Sequence, residues 1–418
     1  MAERAAIPQA PHDHEGERAA MHLPAVSARR ATLATFVVSG MLAVVWVARM
    51  PAIRDALGLT PSEVGSVLLA TAVGSIASIT VVGRLAVTFG SDSVLRWSLP
   101  LMAASAVALG FSTGYPMLLA TAALTGLFLG ATDVTMNTQA SLIERTSGER
   151  VLAGMHAGWS FGSAVGAGLA ALTAAAGVSV GITMVIASSV VLLAWVLIQG
   201  GYLPDAGVRA GGERRAGRIR LPGIIVVIGA AMTLAYLIEG AVIGWSTLYL
   251  HDQFGAAAWL AAVGYLGYEI AMFVGRLGGD RVRHRWGDPR TSVVGSAVAT
   301  VGLGVLVLAT GGPLAVAALV VIGLGQSAVV PILFATAGAV GHDVAAAAIA
   351  RVGGFGFAGM LVGPAAFGVV AQTASMRAGF VGLTVLAVAM TMVVGRGVGP
   401  ALDSETARSA AAPRRTGS

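Results

Sequence analysis

Residues 222–249, PGIIVVIGAAMTLAYLIEGAVIGWSTLY, run for 28 positions with a single charge, Glu239. An α-helix rises about 1.5 Å per residue, so about 20 apolar residues cross a hydrocarbon layer roughly 30 Å thick. The stretch is long enough to span, and it is one of many. Apolar runs bounded by turn and charge signals cover about 32–50, 62–83, 97–112, 116–141, 151–174 and 179–202, then 222–249, 257–278, 291–309, 314–339, 345–371 and 378–395. These twelve predict an all-α, polytopic membrane protein.

Composition supports this reading and removes others. The 418-residue chain is 56% hydrophobic and 11% charged, with a mean hydropathy of +0.82. A soluble domain carries about 25% charged residues. There is no cysteine, so disulfides, zinc–thiolate sites and thiol nucleophiles are excluded. There is no lysine either, which removes Schiff-base chemistry and the usual phosphate-binding loop. No metal constellation, nucleophile triad or nucleotide fingerprint is present, so neither an enzyme nor a bound cofactor or metal is expected. His12 and His14 are a weak metal-binding possibility in a polar leading segment. The pI of 10.4 does not point to nucleic acid, because the arginines are scattered between apolar runs.

The arginines predict topology. With the N-terminus inside, 22 of the 26 fall in cytoplasmic segments, Arg49, Arg54 and Arg377 fall outside, and Arg351 lies within a span. Short cytoplasmic loops retain positive charge, so both termini are expected on the cytoplasmic side of the membrane. The expected organisation is a disordered cytoplasmic tail (1–30), a six-helix bundle (31–203), a cytoplasmic linker (204–221), a second six-helix bundle (222–396) and a tail (397–418). Gly83-Arg84-Leu85 recurs as Gly275-Arg276-Leu277 at an offset of 192, and Leu129-Gly130 recurs as Leu324-Gly325 at 195. Similar offsets on corresponding helices are what a duplicated six-helix unit leaves. The second offset sets His156 opposite Arg351.

Over about residues 31–396 these features resemble the major facilitator superfamily. The segment Trp46 to Leu59, the run Asp133-Val-Thr-Met-Asn137, His156-Ala-Gly-Trp159-Ser160 and Glu239 to Ser246 look like a bacterial branch related to fucose permease. The resemblance implies two pseudo-symmetric six-helix bundles around a central cavity lined mainly by helices one, four, seven and ten, with alternating access. It also locates departures. Val87 stands where the family's loop after helix two carries an aspartate, and Ser91-Asp92 replace its basic pair, whereas the second copy keeps Asp280. Helix five lacks the glycine-proline signature of drug antiporters.

Charges inside spans carry the candidate chemistry, because each costs on the order of 2.5–3.5 kcal/mol to insert and needs a partner or a wet cavity. Asp133 is roughly 15 Å deep, with Asn137 one turn further on the same face. His156 enters helix five at a similar depth, within expected reach of Asn137. Histidine changes charge near neutral pH, so His156 is either a proton relay or a packing residue. Arg351 either pairs with Asp133, binds an anionic solute or reaches the surface. Glu239 and Arg49 each lie seventeen residues into their helices and either meet as an outer gate or substrate clamp or reach outside water independently, with Arg276 and Asp280 as gate residues at the other end. Glu269 sits mid-span beside Tyr265 and Tyr268.

Asp133, Glu239, Glu269 and His156 are therefore the proton-coupling candidates. Asn137, Tyr236, Trp245, Gln326, Trp46 and Arg351 are the substrate-binding candidates. Gly162, Gly166, Gly359, Gly363, Gly126 and Gly130 are read as close-packing positions. The expected function is secondary transport of a small organic solute by a monomer, coupled to protons as sugar-like symport. Efflux of a drug or metabolite is the alternative, and a non-transporting sensor or scaffold is the alternative of another class.

Overall fold

A computed structural model describes residues 14–149, 151–205, 223–340 and 345–398. Its helices are α1 (His14–Ala48), α2 (Met50–Leu57), α3 (Pro61–Phe89), α4 (Ser91–Gly110), α5 (Tyr115–Ser147), α6 (Leu152–Ala175) and α7 (Val180–Ile198). In the second half they are α8 (Ile224–Phe254), α9 (Ala258–Trp286), α10 (Asp288–Leu308), α11 (Gly312–Gln326), α12 (Val329–Ala339), α13 (Ala345–Thr373) and α14 (Met376–Val393), which ends in a π turn (Val394–Val398). Among the described residues, ten helices are long and apolar enough to cross a membrane. The twelve apolar runs of the sequence all appear as helix.

Three boundaries differ from the sequence reading. Helix one begins at His14, so part of the segment expected as a tail is helical. It is then interrupted at Arg49 (φ −93°, ψ 6°), and Pro51 restarts it as α2. Helix ten is likewise broken into α11 and α12. The cause is the same in both: Pro51 and Pro331 have no N–H to give the carbonyl four residues back, and each proline ring crowds that carbonyl. At the second break Ser327 Oγ donates to the Leu324 carbonyl, three residues back, at 2.7 Å. His12 and the linker arginines lie outside the described residues.

The helix pairings repeat between the halves. α1 packs along α6 as α8 packs along α13, and α3 packs along α5 as α9 packs along α11. α4 with α7 is matched by α10 with α14. Glycine makes the closest pairs possible. A methyl added at Gly162 or Gly166 would collide with the Val37 or Met41 carbonyl of α1, and one at Gly359 or Gly363 with Thr233 or Leu237 of α8. Gly126 and Gly130 stand equally close to α3, against Thr71 and Ser75. The chain is thus two pseudo-symmetric six-helix bundles.

The bundles meet along two seams, α6 with α9 and α3 with α13. The first includes Phe161 against Phe273, ring centroids 6.0 Å apart. The second is tight at the end of the molecule that holds α2, called here the far end; the opposite end, where the bundle begins and finishes, is the tail end. At the far end Gly65 of α3 lies against Gly368 of α13, and Leu68 against Gly244 of α8.

Candidate functional site

Glu239 stands at the middle of α8, fifteen residues from either end. The middle of α8 is packed between neighbouring helices, so Glu239 is only 8% exposed and must find a partner within the protein. Arg276 of α9 provides it, with Nη2 3.7 Å from Glu239 Oε1. The same guanidinium donates through Nη1 to Ser160 Oγ of α6 at 2.5 Å. One arginine therefore links two helices of the second half to one helix of the first. Tyr236, one turn before Glu239, packs against Gly356 of α13.

Glu269 lies two turns from Arg276 on the same face of α9 and is 7% exposed. Tyr265 and Tyr268 stack beside it, centroids 6.0 Å apart at 13°. The Tyr268 hydroxyl and both polar atoms of Gln326 are buried without a hydrogen-bond partner. Gln326 ends α11 at the helix break, and Gly323, one turn earlier, lies against Tyr268. A buried polar atom left unsatisfied costs about 1–3 kcal/mol, so this region is chemically ready for a hydrogen-bonding solute or for water.

In the first half, Asn137 Nδ2 donates to the Asp133 carbonyl at 2.9 Å and to its carboxylate at 3.2 Å. Asn137 also lines a cavity of about 300 Å³ with Val134, Thr138, Ser141, Arg145 and Asp205. Among the described residues neither Asp133 nor Glu269 has a cationic partner. His156 is exposed and packs edge-on to Phe36, centroids 5.4 Å apart.

Several expected partnerships are not found. Arg49 and Glu239 do not meet. Arg49 turns at the helix interruption toward its own half, donating to Thr173 Oγ1 (2.9 Å), Thr183 Oγ1 (3.1 Å) and the Val178 carbonyl (2.7 Å). His156 and Asn137 do not bond, because Asn137 turns back onto Asp133. Arg351 is exposed and has no ion-pair partner among the described residues, so it does not neutralise Asp133. Trp245 is fully buried and donates to the Pro364 carbonyl at 3.0 Å, which makes it a strut between α8 and α13 rather than a cavity wall. Trp46 is equally buried, at 2% exposure. The side chain of Asp280 lies outside the described residues.

Other groups were not singled out in the sequence. At the far end, Arg54 of α2 pairs with Asp252 of α8 by two bonds, one of them 2.7 Å. This hydrogen bonding holds the Arg54 guanidinium above its ordinary pKa. Arg54 enters the sequence reading only as an outside arginine and as part of the Trp46–Leu59 segment, and Asp252 does not enter it. At the tail end, Gln139 donates to Ser91 Oγ and to the Leu203 carbonyl, each at 2.8 Å, while Asp205 accepts from Ser91. Ser91, which replaces a basic residue of the family's loop, thus helps dock the start of the linker.

Two bundles of spanning helices meeting at a buried, charged seam define a polytopic membrane protein built for solute movement. The chain belongs to the Major Facilitator Superfamily, whose model matches residues 31–347. It is 31% identical to an uncharacterized transporter, y4wD, of Sinorhizobium fredii, over 83% of this chain and 92% of that protein. It is 30% identical to an uncharacterized MFS-type transporter of Yersinia pestis, over 88% and 95%. Among solved structures it resembles the D-xylose-proton symporter, with a TM-score of 0.72, 12% identity and coverage of 89% and 97%. It also resembles the nucleoside transporter NupG, with a TM-score of 0.68, 11% identity and coverage of 89% and 98%.

Proposed function

We propose that this protein is a secondary transporter that moves a small, hydrogen-bonding organic solute across the cytoplasmic membrane by alternating access, coupled to protons. The observation that carries the reading is the Glu239–Arg276–Ser160 link at the seam, flanked by carboxylates at Asp133 and Glu269 that lack cationic partners. Uptake and loss of a proton at these carboxylates would couple solute movement to the proton gradient. Protonating Glu239 would also release Arg276 from one of its two anchors and loosen the tie to α6. The structural likeness to a sugar symporter and a nucleoside transporter supports a polyhydroxylated solute. The arginine distribution supports placing the tail end in the cytoplasm.

The test uses purified protein in liposomes with a pH dye inside, supplied with pentoses, hexoses and nucleosides. A transported solute added outside should acidify the lumen, and an imposed inward proton gradient should drive its accumulation. Asp133→Asn, Glu239→Gln and Glu269→Gln are each measured for gradient-driven accumulation and for solute exchange at equilibrium. At least one should lose accumulation while keeping exchange. Solute flux that never moves the lumen pH would refute coupling. Accumulation driven by an outward proton gradient alone would reverse the direction.

A further inference from the structure

The far end of the molecule carries four charged or titratable side chains on two elements from opposite halves. α2 of the first half presents Arg54 and Asp55, and α8 of the second presents His251 and Asp252. Arg54 bonds Asp252 across the seam, and its Nε and Nη2 also donate to Asp55 at 3.2 and 2.9 Å. His251 Nδ1 is 2.9 Å from Asp252, and its Nε2 is 3.6 Å from Asp55 on the opposite half. The contacts across the seam are therefore reciprocal. A first-half cation faces a second-half anion, and a second-half imidazole faces a first-half anion.

Local sequence produces this placement. Pro51 starts α2 afresh after the interruption at Arg49, and Gly58, in the left-handed conformation at φ 64°, ends it. The resulting eight-residue helix lies against the outer end of α8 rather than continuing α1. α8 reaches the same level because it runs to Phe254, where Gly255 (φ 62°) ends it.

We propose that Arg54, Asp55, His251 and Asp252 form a pH-responsive latch that holds the far end closed when His251 is protonated. The inference rests on the alternating-access reading above. With a neutral imidazole the cluster has one cation and two anions, and only the Arg54–Asp252 pair crosses the seam. With an imidazolium it has two of each, and the His251–Asp55 pair crosses as well. Histidine gains its charge below neutral pH. An acidic exterior therefore tightens the far end, and an alkaline one loosens it. No other charged group is bonded to the cluster among the described residues, so the imidazole decides its balance.

The chain has no native cysteine, so spin labels can be placed without background. Ser62→Cys on α3 and Gln372→Cys on α13 are exposed far-end positions on opposite halves, away from the latch. Their separation is measured by electron–electron double resonance on the full chain in lipid nanodiscs at about pH 5.5 and about pH 8.5, either side of the histidine range. The closed-to-open ratio should fall about two- to five-fold on going to the higher pH, the size expected of one partly exposed ion pair. His251→Gln should remove that part of the pH response, and His251→Arg should keep the end closed at both values. Arg54→Gln should open it at both. An unchanged pH response in His251→Gln, or an unchanged distance in Arg54→Gln, overturns the latch. Gly65→Leu, which wedges the seam mechanically, separates the two readings. If it opens the far end while the latch variants do not, only the latch fails; if no variant changes the distance, alternating access fails too, and the latch with it.

Discussion

Gly368→Leu should drive the far end open. A methyl at position 368 would lie 3.0 Å from Gly65 Cα, 3.0 Å from the Pro61 carbonyl oxygen and 3.1 Å from Trp245 Cζ2. Carbon atoms pack best at about 3.5–4.0 Å, so alanine alone already requires a retreat of about half an ångström. Leucine directs three further carbons into the same gap. Overpacking of this kind costs about 1–3 kcal/mol. The cost falls on the closed state alone, because α3 and α13 separate when the far end opens. At about 1.4 kcal/mol per tenfold change, the closed-to-open ratio should fall by roughly 5- to 150-fold. The assay introduces Leu68→Cys, whose parent side chain fills the seam beside Gly244, and follows its labelling by a membrane-impermeant maleimide added outside. Gly354→Leu, on the same helix with no atom within 4 Å of an added methyl, is the control. Equal labelling in the two backgrounds would falsify the idea that this glycine contact is the far-end seal.

Gly162→Ala and Gly359→Ala should each lower thermal stability by about 1–3 kcal/mol, because both place a methyl on a backbone carbonyl of the paired helix; Gly154→Ala, in open space, should not. Arg49→Met should destabilise by on the order of 1.5–3 kcal/mol through loss of its bonds to Thr173, Thr183 and Val178, measured by unfolding in detergent; Arg49→Lys, with no planar fork, should not rescue it. Gln326→Leu should stabilise the closed protein by about 1–3 kcal/mol by removing an unsatisfied buried amide, while abolishing solute-induced thermal shifts; a destabilised variant that still responds to solute would count against Gln326 as a ligand contact. Glu239→Ala, which strands Arg276, should be more destabilising than Glu239→Gln, and Arg276→Met should offset part of that loss.

The sites divide by what kind of information fixes them. Glu239, Glu269 and Asp133 are conspicuous in the sequence because a carboxylate within a long apolar run is expensive whatever surrounds it. Their partners are not conspicuous. Arg276 is legible as a gate residue near the end of its helix but not as the partner of Glu239, and Ser160 is a small polar residue in a glycine-rich helix. Their meeting depends on how α9 and α6 are rotated about their axes. The pairing of Arg49 with Glu239 fails for a related reason. Counting residues from a helix start measures depth only when the start is known, and α1 begins at His14, well before its apolar run.

Apolar run length and the cost of placing charge in hydrocarbon make the all-α membrane architecture, its duplication and its intramembrane carboxylates legible along the chain. Only the packed helices show that Arg276 bridges the halves, that Trp245 is a strut, that Gln326 ends a broken helix without partners, and that α2 brings Arg54 to Asp252. Each of those depends on helix rotation, register and interruption, which are set by side-chain packing between segments distant in sequence and leave no period in either segment alone.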